Sequence, residues 1–115
     1  LAHLHYDWQG TDNDAFTFLT PLSENCCDID LVYEDFRGGP RTYRYRTGKG
    51  LIFGSHFHHS TAPGQTVAPA ILLAFQFGTD RMERYDAILK SAYQGAFHCR
   101  PDGRFVRFGK LLPDG

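Results

Sequence analysis

The sequence contains few cysteines, and their spacing suits neither a disulfide framework nor a thiolate metal site. Only Cys26, Cys27 and Cys99 occur in 115 residues. An odd number, with two of the three adjacent, does not pair into a disulfide framework. A thiolate zinc site would need C-x-x-C spacing, which is absent. We therefore expect small, semi-buried free thiols and a reducing compartment such as the cytoplasm.

Long apolar runs and a surplus of one charge are also lacking. No segment approaches the roughly 18 apolar residues of a membrane-spanning helix. No positively charged start precedes an apolar stretch, as it would in a signal peptide. The formal net charge is -1, whereas nucleic acids and anionic membranes favour basic partners. We expect one domain with neither a nucleic-acid nor a membrane partner.

Glycine and proline, in contrast, divide the chain into short pieces. The 12 glycines and 6 prolines separate segments of five to eight residues that are rich in aromatic and β-branched side chains, which is typical of strands. The segment 70–77 is apolar on both faces, so we expect both of its faces to be covered. The strands are predicted over residues 3–8, 15–20, 28–34, 41–46, 50–53, 57–61 and 70–77.

One helix follows the strands, over residues 80–94. Its apolar stripe has helical spacing and comprises Tyr85, Ile88, Leu89, Ala92 and Tyr93. Asp80 and Glu83 resemble a capping box, and Gly95 stands where a C-cap glycine belongs. The tail, residues 97–112, reads as a hairpin across Pro101-Asp102-Gly103. The fold class is therefore mainly β, with a two-sheet sandwich or jelly roll as the expected architecture.

Histidines and one aspartate form the pattern that carries chemistry. In a strand, His5 and Asp7 of His5-Tyr6-Asp7 would point to the same face. One further histidine from a distant strand would complete a 2-His-1-carboxylate triad, a ligand set that leaves open positions on Fe(II). The segment around His56, His58 and His59 can supply it.

Four segments together resemble the Fe(II)/2-oxoglutarate-dependent oxygenases of the phytanoyl-CoA hydroxylase and prolyl hydroxylase type. They are His5-Tyr6-Asp7, the glycine-led strand 50–53, a distal histidine followed by proline in 59–63, and the apolar strand 70–77. The resemblance covers residues 3–78. It implies a double-stranded β-helix, related to the cupins, that lacks its N-terminal strand and helices.

The resemblance also implies the ligands and the reaction. Fe(II) would be bound by His5, Asp7 and His59, because His59 stands four residues before Pro63 in the family's register. 2-Oxoglutarate and O₂ would complete the coordination, and a small-molecule or peptide substrate would be hydroxylated. His58 is the alternative distal ligand. Surface or supporting positions are expected for His56 and His3.

The sequence departs from the family at the 2-oxoglutarate carboxylate. The family usually holds that group with an Arg or Lys about ten residues after the distal histidine, and Ala70 stands there. No Lys or Arg occurs between Lys49 and Arg81. We assign 2-oxoglutarate binding to Arg44 and Arg46, provided that their strand turns them inward. The other candidates are Arg81, Arg84, Gln76 and Thr66.

The H-x-D motif comes unusually early, and the chain starts without methionine. We expect a piece of a longer protein whose receiving sheet has an open edge, and self-association through that edge. Two rival functions stay open, a non-catalytic jelly-roll binding module and a cupin-type metal enzyme that does not use 2-oxoglutarate. The expected pocket lining is aromatic and comprises Tyr6, Trp8, Phe16, Phe18 and Phe57.

Overall fold

Strands dominate the computed structural model, which describes residues 3–24, 29–92, 97–108 and 110–113. They hold 37% of the structure against 11% helix, which confirms the mainly-β prediction. The first six strands are, in chain order, β1 (Ala15–Pro21), β2 (Asp30–Glu34), β3 (Pro40–Arg44), β4 (Leu51–Phe53), β5 (His59–Thr61) and β6 (Leu72–Gly78).

These six strands form two antiparallel three-stranded sheets. One has the order β4-β1-β6 and the other β3-β2-β5. The chain therefore alternates between them: β1 lies in the first, the β2–β3 hairpin in the second, β4 in the first, β5 in the second and β6 in the first. In register, Thr17 of β1 lies opposite Phe53 and Gln76, and Tyr33 of β2 lies opposite His59.

The core lies between the two sheets. Leu31 and Tyr45 are almost completely buried at its centre. Partly buried side chains from both sheets and their loops pack against them, namely Leu19, Ile29, Tyr43, Leu51, Phe57, Ala70 and Leu72. Alternation explains the arrangement, because every second residue of a strand points to the same face. A second cluster joins Trp8 and Ala15 to Ala92, with Ile88 packed against it.

The apolar strand β6 lies at a sheet edge. Within the described residues its one strand partner is β1, and Phe75 and Phe77 are 56% and 48% exposed. The prediction that both faces of this segment are covered is therefore wrong. An apolar run indicates that a strand can be buried, but long-range pairing decides whether the strand lies in the centre or at the edge of its sheet.

Residues 3–8 do not form the predicted strand. Only His5 pairs, as an isolated bridge to His59, with backbone N···O distances of 2.8 and 3.0 Å. The chain then bends, since the Gln9 amide bonds the Asp7 carbonyl at 3.0 Å. Gly10 follows in the left-handed region, with φ of 76°. A turn formed within the motif itself ends the strand after one bridge.

The helix is shorter than predicted. A 3₁₀ turn, Met82–Arg84, leads into α1 (Tyr85–Ser91), and neither has a side-chain N-cap bond, so the capping-box prediction is wrong. Arg84 instead binds the Asp14 carboxylate, which fixes this end of the helix to the turn before β1. Tyr93 and Gly95 lie outside the described residues. No helix of the described chain is long and apolar enough to cross a bilayer.

The tail forms a small third sheet of β7 (His98–Cys99), β8 (Phe105–Arg107) and β9 (Lys110–Leu111). The predicted hairpin is confirmed, since the Arg100 amide bonds the Arg104 carbonyl at 2.8 Å across the turn. Cys99 is exposed and free. Cys26 and Cys27 lie outside the described residues.

Candidate metal centre

The fold brings His5, Asp7 and His59 together, although 54 residues separate the two histidines. Asp7 Oδ1 lies 3.4 Å from His5 Nε2 and 3.8 Å from His59 Nε2. All three ligand atoms lie within 4.8 Å of one another, and no other described residues form such a His/Cys/Asp/Glu group. Bonds of about 2.1 Å to a shared metal would put adjacent ligand atoms about 3 Å apart. The longest of these separations, at most 4.8 Å, would have to shorten by up to about 1.8 Å, shared between the side chains.

His59 is held between two strands and an aromatic wall. Its backbone pairs with Tyr33 of β2 on one side and with the His5 bridge on the other. The imidazole is buried at 6% exposure, and its ring centroid lies 4.5 Å from that of Phe53 and 5.2 Å from that of Phe57. The fold therefore fixes both the position and the plane of this ring.

Backbone carbonyls determine which nitrogen of each ring can bind a metal. His59 Nδ1 lies 2.9 Å from the Phe57 carbonyl, and His5 Nδ1 lies 3.3 Å from the His3 carbonyl. A carbonyl only accepts hydrogen bonds, so each Nδ1 donates, and the neutral ring keeps its lone pair on Nε2. Metal-ligating histidines usually donate their second N–H in this way.

Burial lowers the pKa of His59 below its ordinary value. The neighbouring His5 and His58 also lower it, whereas the Phe57 carbonyl and Asp7 act in the opposite direction. The ring is therefore neutral near pH 7, which is the form that coordinates a metal.

The other histidines lie away from this cluster. His58 faces the opposite side of its segment, where Nδ1 lies 2.7 Å from Glu34 Oε2 and the ring stacks on Tyr6 at 4.5 Å. His56 is exposed. His3 contributes its backbone carbonyl to His5. The structure thus groups His59, and not His58, with the H-x-D pair.

The cations predicted to hold 2-oxoglutarate do not join the cluster. Arg44 alternates with the buried Tyr45, is exposed, and binds Asp30 at 2.9 and 3.3 Å. Arg46, two residues beyond the end of β3, is also exposed. Arg44 therefore turns to the face opposite the buried Tyr45, and the assignment of 2-oxoglutarate to Arg44 and Arg46 stays a prediction.

The remaining candidates for that carboxylate are engaged elsewhere or neutral. Arg81 and Arg84 both bind Asp14 at the start of the helix. The Thr66 hydroxyl donates to the Ala68 carbonyl at 2.6 Å. Gln76 lies opposite Thr17 in register and shares that face of the sheet, but it is exposed.

The aromatic residues expected to line a pocket divide into two groups. Phe57 contacts the His59 ring, and Trp8 is buried next to the motif. Phe16 and Phe18 instead stack on Phe77 and Phe75 on the outer face of their sheet. Tyr6 is 40% exposed. Only the first group can shape the site.

One residue at the site, Thr17, escaped the sequence analysis. Its hydroxyl donates to Asp7 Oδ2 at 3.1 Å. The inward positions of β1 are Ala15, Thr17 and Leu19, so a polar residue interrupts an otherwise apolar face. That interruption is the sequence signal that indicates Thr17, since a buried hydroxyl needs a hydrogen-bond partner.

Two clefts border this region. The larger, about 680 Å³, is lined by Trp8, the edge of β6, α1 and the tail sheet. The smaller, about 400 Å³, is lined by residues that include Tyr6, Gln9 and His56. None of the three ligand side chains lines either cleft, and the larger one approaches the cluster through Trp8.

Comparisons with protein-family models, curated proteins and solved structures found no significant match for this chain.

Proposed function

We propose that this chain is the metal-binding core of an Fe(II)-dependent oxygenase, with 2-oxoglutarate as the expected co-substrate and a substrate that is not identified. The observation that carries the proposal is the convergence of His5, Asp7 and His59, with one ligand atom of each within 4.8 Å of the others and both Nε2 atoms 3.4 and 3.8 Å from Asp7 Oδ1. Two imidazoles and one carboxylate are the protein ligands of non-haem Fe(II) oxygenases.

The strand connectivity supports the same class of fold. The chain alternates between two antiparallel sheets, and the β bridge adds the His5 segment to the second sheet beside β5. Such alternation is what a jelly roll requires. We propose a double-stranded β-helix that carries the ligands beside β5, with His59 buried and the His5 side chain 57% exposed.

The donor set fits iron, and the chain's own residues define what they would contribute. In a neutral imidazole whose Nδ1–H donates to a carbonyl, as at His5 and His59, the lone pair lies on Nε2. Asp7 supplies one negative oxygen. Phe53 and Phe57 exclude water from one side of His59. When bound, Fe(II) would supply the capacity to activate O₂ for oxidation of a C–H bond.

The fit to 2-oxoglutarate is poorer than the fit to iron. A guanidinium group pairs with a carboxylate in a bidentate way, yet Arg44 is bound to Asp30 on the outer face. This observation favours, as second candidate, a metal-dependent enzyme of the cupin type that does not use 2-oxoglutarate. A binding module without catalysis is the third.

Metal titration tests the proposal directly. The protein should bind about one equivalent of Co(II) or Mn(II), and calorimetry measures this binding. We expect His5→Ala, Asp7→Ala and His59→Ala each to abolish binding. His56→Ala and His58→Ala are matched controls from the same segment and should bind like the wild type. Absence of binding by the wild type would leave only the binding module.

Anaerobic addition of 2-oxoglutarate to the Fe(II) protein then separates the two metal-dependent candidates. A charge-transfer band that appears with 2-oxoglutarate, together with succinate formation in air, supports the oxygenase. O₂ consumption with a substrate but without 2-oxoglutarate identifies the cupin-type enzyme. Metal binding without either response would exclude both activities for the chain as it stands.

A further inference from the structure

The two oxygens of Asp7 have different surroundings. Oδ1 faces both histidine Nε2 atoms, at 3.4 and 3.8 Å. Oδ2 accepts a hydrogen bond from the Thr17 hydroxyl at 3.1 Å. Thr17 is only 3% exposed and belongs to β1, so a buried residue of a core strand holds this oxygen in place.

A second bond fixes the direction of the first. The Trp8 indole N–H donates to Thr17 Oγ1 at 3.0 Å. An indole nitrogen can only donate, and a hydroxyl has a single hydrogen. Because Trp8 uses a lone pair of the hydroxyl, the hydroxyl hydrogen is available for Asp7 Oδ2. The bonds therefore run in one sense, from Trp8 to Thr17 to Asp7.

Burial alone does not explain this arrangement. Asp7 retains 21% side-chain exposure, so its carboxylate is not fully removed from water. Thr17 lies on an inner face between Ala15 and Leu19, where valine has almost the same shape and carries no polar group to bury. A hydroxyl at this position is useful only to the groups it bonds, namely the carboxylate and the indole.

We propose that Thr17 is a positioning residue for the metal site, and that Trp8 orients its hydroxyl. The pair holds Asp7 Oδ2 so that Oδ1 alone turns toward the space between the histidines. Asp7 would then offer one oxygen, Oδ1, to a metal held with the two histidines. This inference rests on the proposed metal site and adds two residues to it.

The test compares Thr17→Val, which removes the hydroxyl at constant shape, with Thr17→Ser, which keeps it. Co(II) affinity is measured by calorimetry and the coordination geometry by the visible absorption of bound Co(II). Loss of a group that orients a metal ligand typically weakens binding about 10- to 100-fold. We expect that loss and an altered Co(II) spectrum for Thr17→Val, and near wild-type values for Thr17→Ser.

Thr20→Val is the matched control on the same strand. The Thr20 hydroxyl donates to the Lys49 carbonyl at 2.9 Å and is exposed, so this variant should keep both the Co(II) affinity and the spectrum. Urea unfolding of each metal-free variant shows whether the protein is folded. A purely structural role of Thr17 would change the unfolding midpoint and leave the Co(II) spectrum of the folded protein unchanged.

Trp8→Phe tests the orienting bond and stands by itself if Thr17→Val does not fold. It removes the indole N–H and keeps an aromatic ring, and we expect a smaller loss of Co(II) affinity with a similar spectral change. The double variant should bind no more weakly than Thr17→Val, because Trp8 acts through Thr17.

The outcomes distinguish failure of the positioning role of Thr17 from failure of the proposed metal site. Wild-type Co(II) affinity and spectrum in folded Thr17→Val, or in Trp8→Phe, would overturn the positioning role and leave the metal site intact. Failure of Thr17→Ser to restore both would also overturn it, since the hydroxyl would then not be the active group. No Co(II) binding by the wild type would instead overturn the proposed function.

Discussion

At the scale of single residues, the site consists of polar side chains on an otherwise apolar strand face. Thr17 and His59 are 3% and 6% exposed, and each has a hydrogen-bond partner, as buried polar groups require. Outside the core, charged residues pair across strands instead. Arg44 with Asp30 is such a pair, with the arginine side chain 64% exposed. Exposed pairs of this type contribute little to stability.

Substitution of Arg44 should therefore have a small and purely structural effect. We expect Arg44→Ala to lower the free energy of unfolding by less than about 1 kcal/mol. Co(II) and 2-oxoglutarate binding should match those of the wild type, because Arg44 points away from the cluster. Urea unfolding and the anaerobic 2-oxoglutarate titration check the two parts, with Arg46→Ala as the companion variant. Loss of 2-oxoglutarate binding in Arg44→Ala would return this residue to the co-substrate site.

At the scale of elements, ion pairs between arginine side chains and one carboxylate, and not a side-chain cap, hold the start of the helical segment. Arg84 and Arg81, at the start of the helical segment, both bind Asp14 in the turn before β1. Close to this contact, a Cβ on Gly78 would lie 2.9 Å from Ile88 Cδ1 and 3.1 Å from the Asp14 carbonyl oxygen, so the end of β6 lies close to α1 and to the turn before β1. The ion pairs therefore locate a helix of only seven residues.

The Asp14 contact predicts a dependence of stability on pH. The hydrogen bond from Arg84 is the main cause that lowers the pKa of Asp14 below its ordinary 3.8, with Arg81 acting in the same direction. The stabilisation is therefore complete above the unfolded-state pKa and is lost as the pH falls through the lower folded-state value. Thermal melts should show Asp14→Asn less stable than the wild type at pH 7, with the gap closing below about pH 4.

Asp12→Asn is the control for this titration. Asp12 also approaches Arg84, at 3.4 Å, but its side chain is 86% exposed. Its substitution should leave the melting temperature nearly unchanged at every pH. A gap between wild type and Asp14→Asn that persists at acid pH would mean that shape, and not charge, makes the Asp14 contact.

Local sequence patterns predicted where the strands lie better than they predicted how the strands and side chains pack. Glycine and proline breaks, with aromatic and β-branched composition between them, located β1 to β5 to within a few residues, and the H-x-D pattern with a distal histidine indicated His5, Asp7 and His59, which the structure brings together. The turn that follows Asp7, with Gly10 in the left-handed region, is not visible in a period-two pattern. The orientation of Arg44 was readable from Tyr43 and Tyr45, but which face turned inward depended on packing against Leu31.

At the scale of the whole molecule, strand pairing is long-range and one edge stays open. β1 is central only because β4 and β6 pair with it from 30 or more residues away, which no local window reveals. Within the described chain, β6 then presents an unpaired side. Natural edge strands usually carry charge or proline against association, and Leu72–Gly78 contains neither.

Self-association through β6 is the expected consequence. Two copies of an uncharged strand can pair antiparallel about a two-fold axis without charge repulsion. Sedimentation at rising concentration should show dimers or larger species, and Phe75→Lys should restore the monomer. Ile52→Lys places the same charge on the same face but on β4, at the opposite edge, and should still associate. A wild-type monomer at all concentrations would contradict this prediction.

Trp8 also gives the molecule a built-in optical reporter. It is the single tryptophan of the chain, it is 2% exposed, and its indole is two hydrogen bonds from the Asp7 carboxylate. Its fluorescence therefore comes from one place in the protein, next to the ligands and at the wall of the larger cleft. Quenching by a paramagnetic ion, a change on filling the cleft and the red shift of unfolding can all be followed in one unlabelled sample.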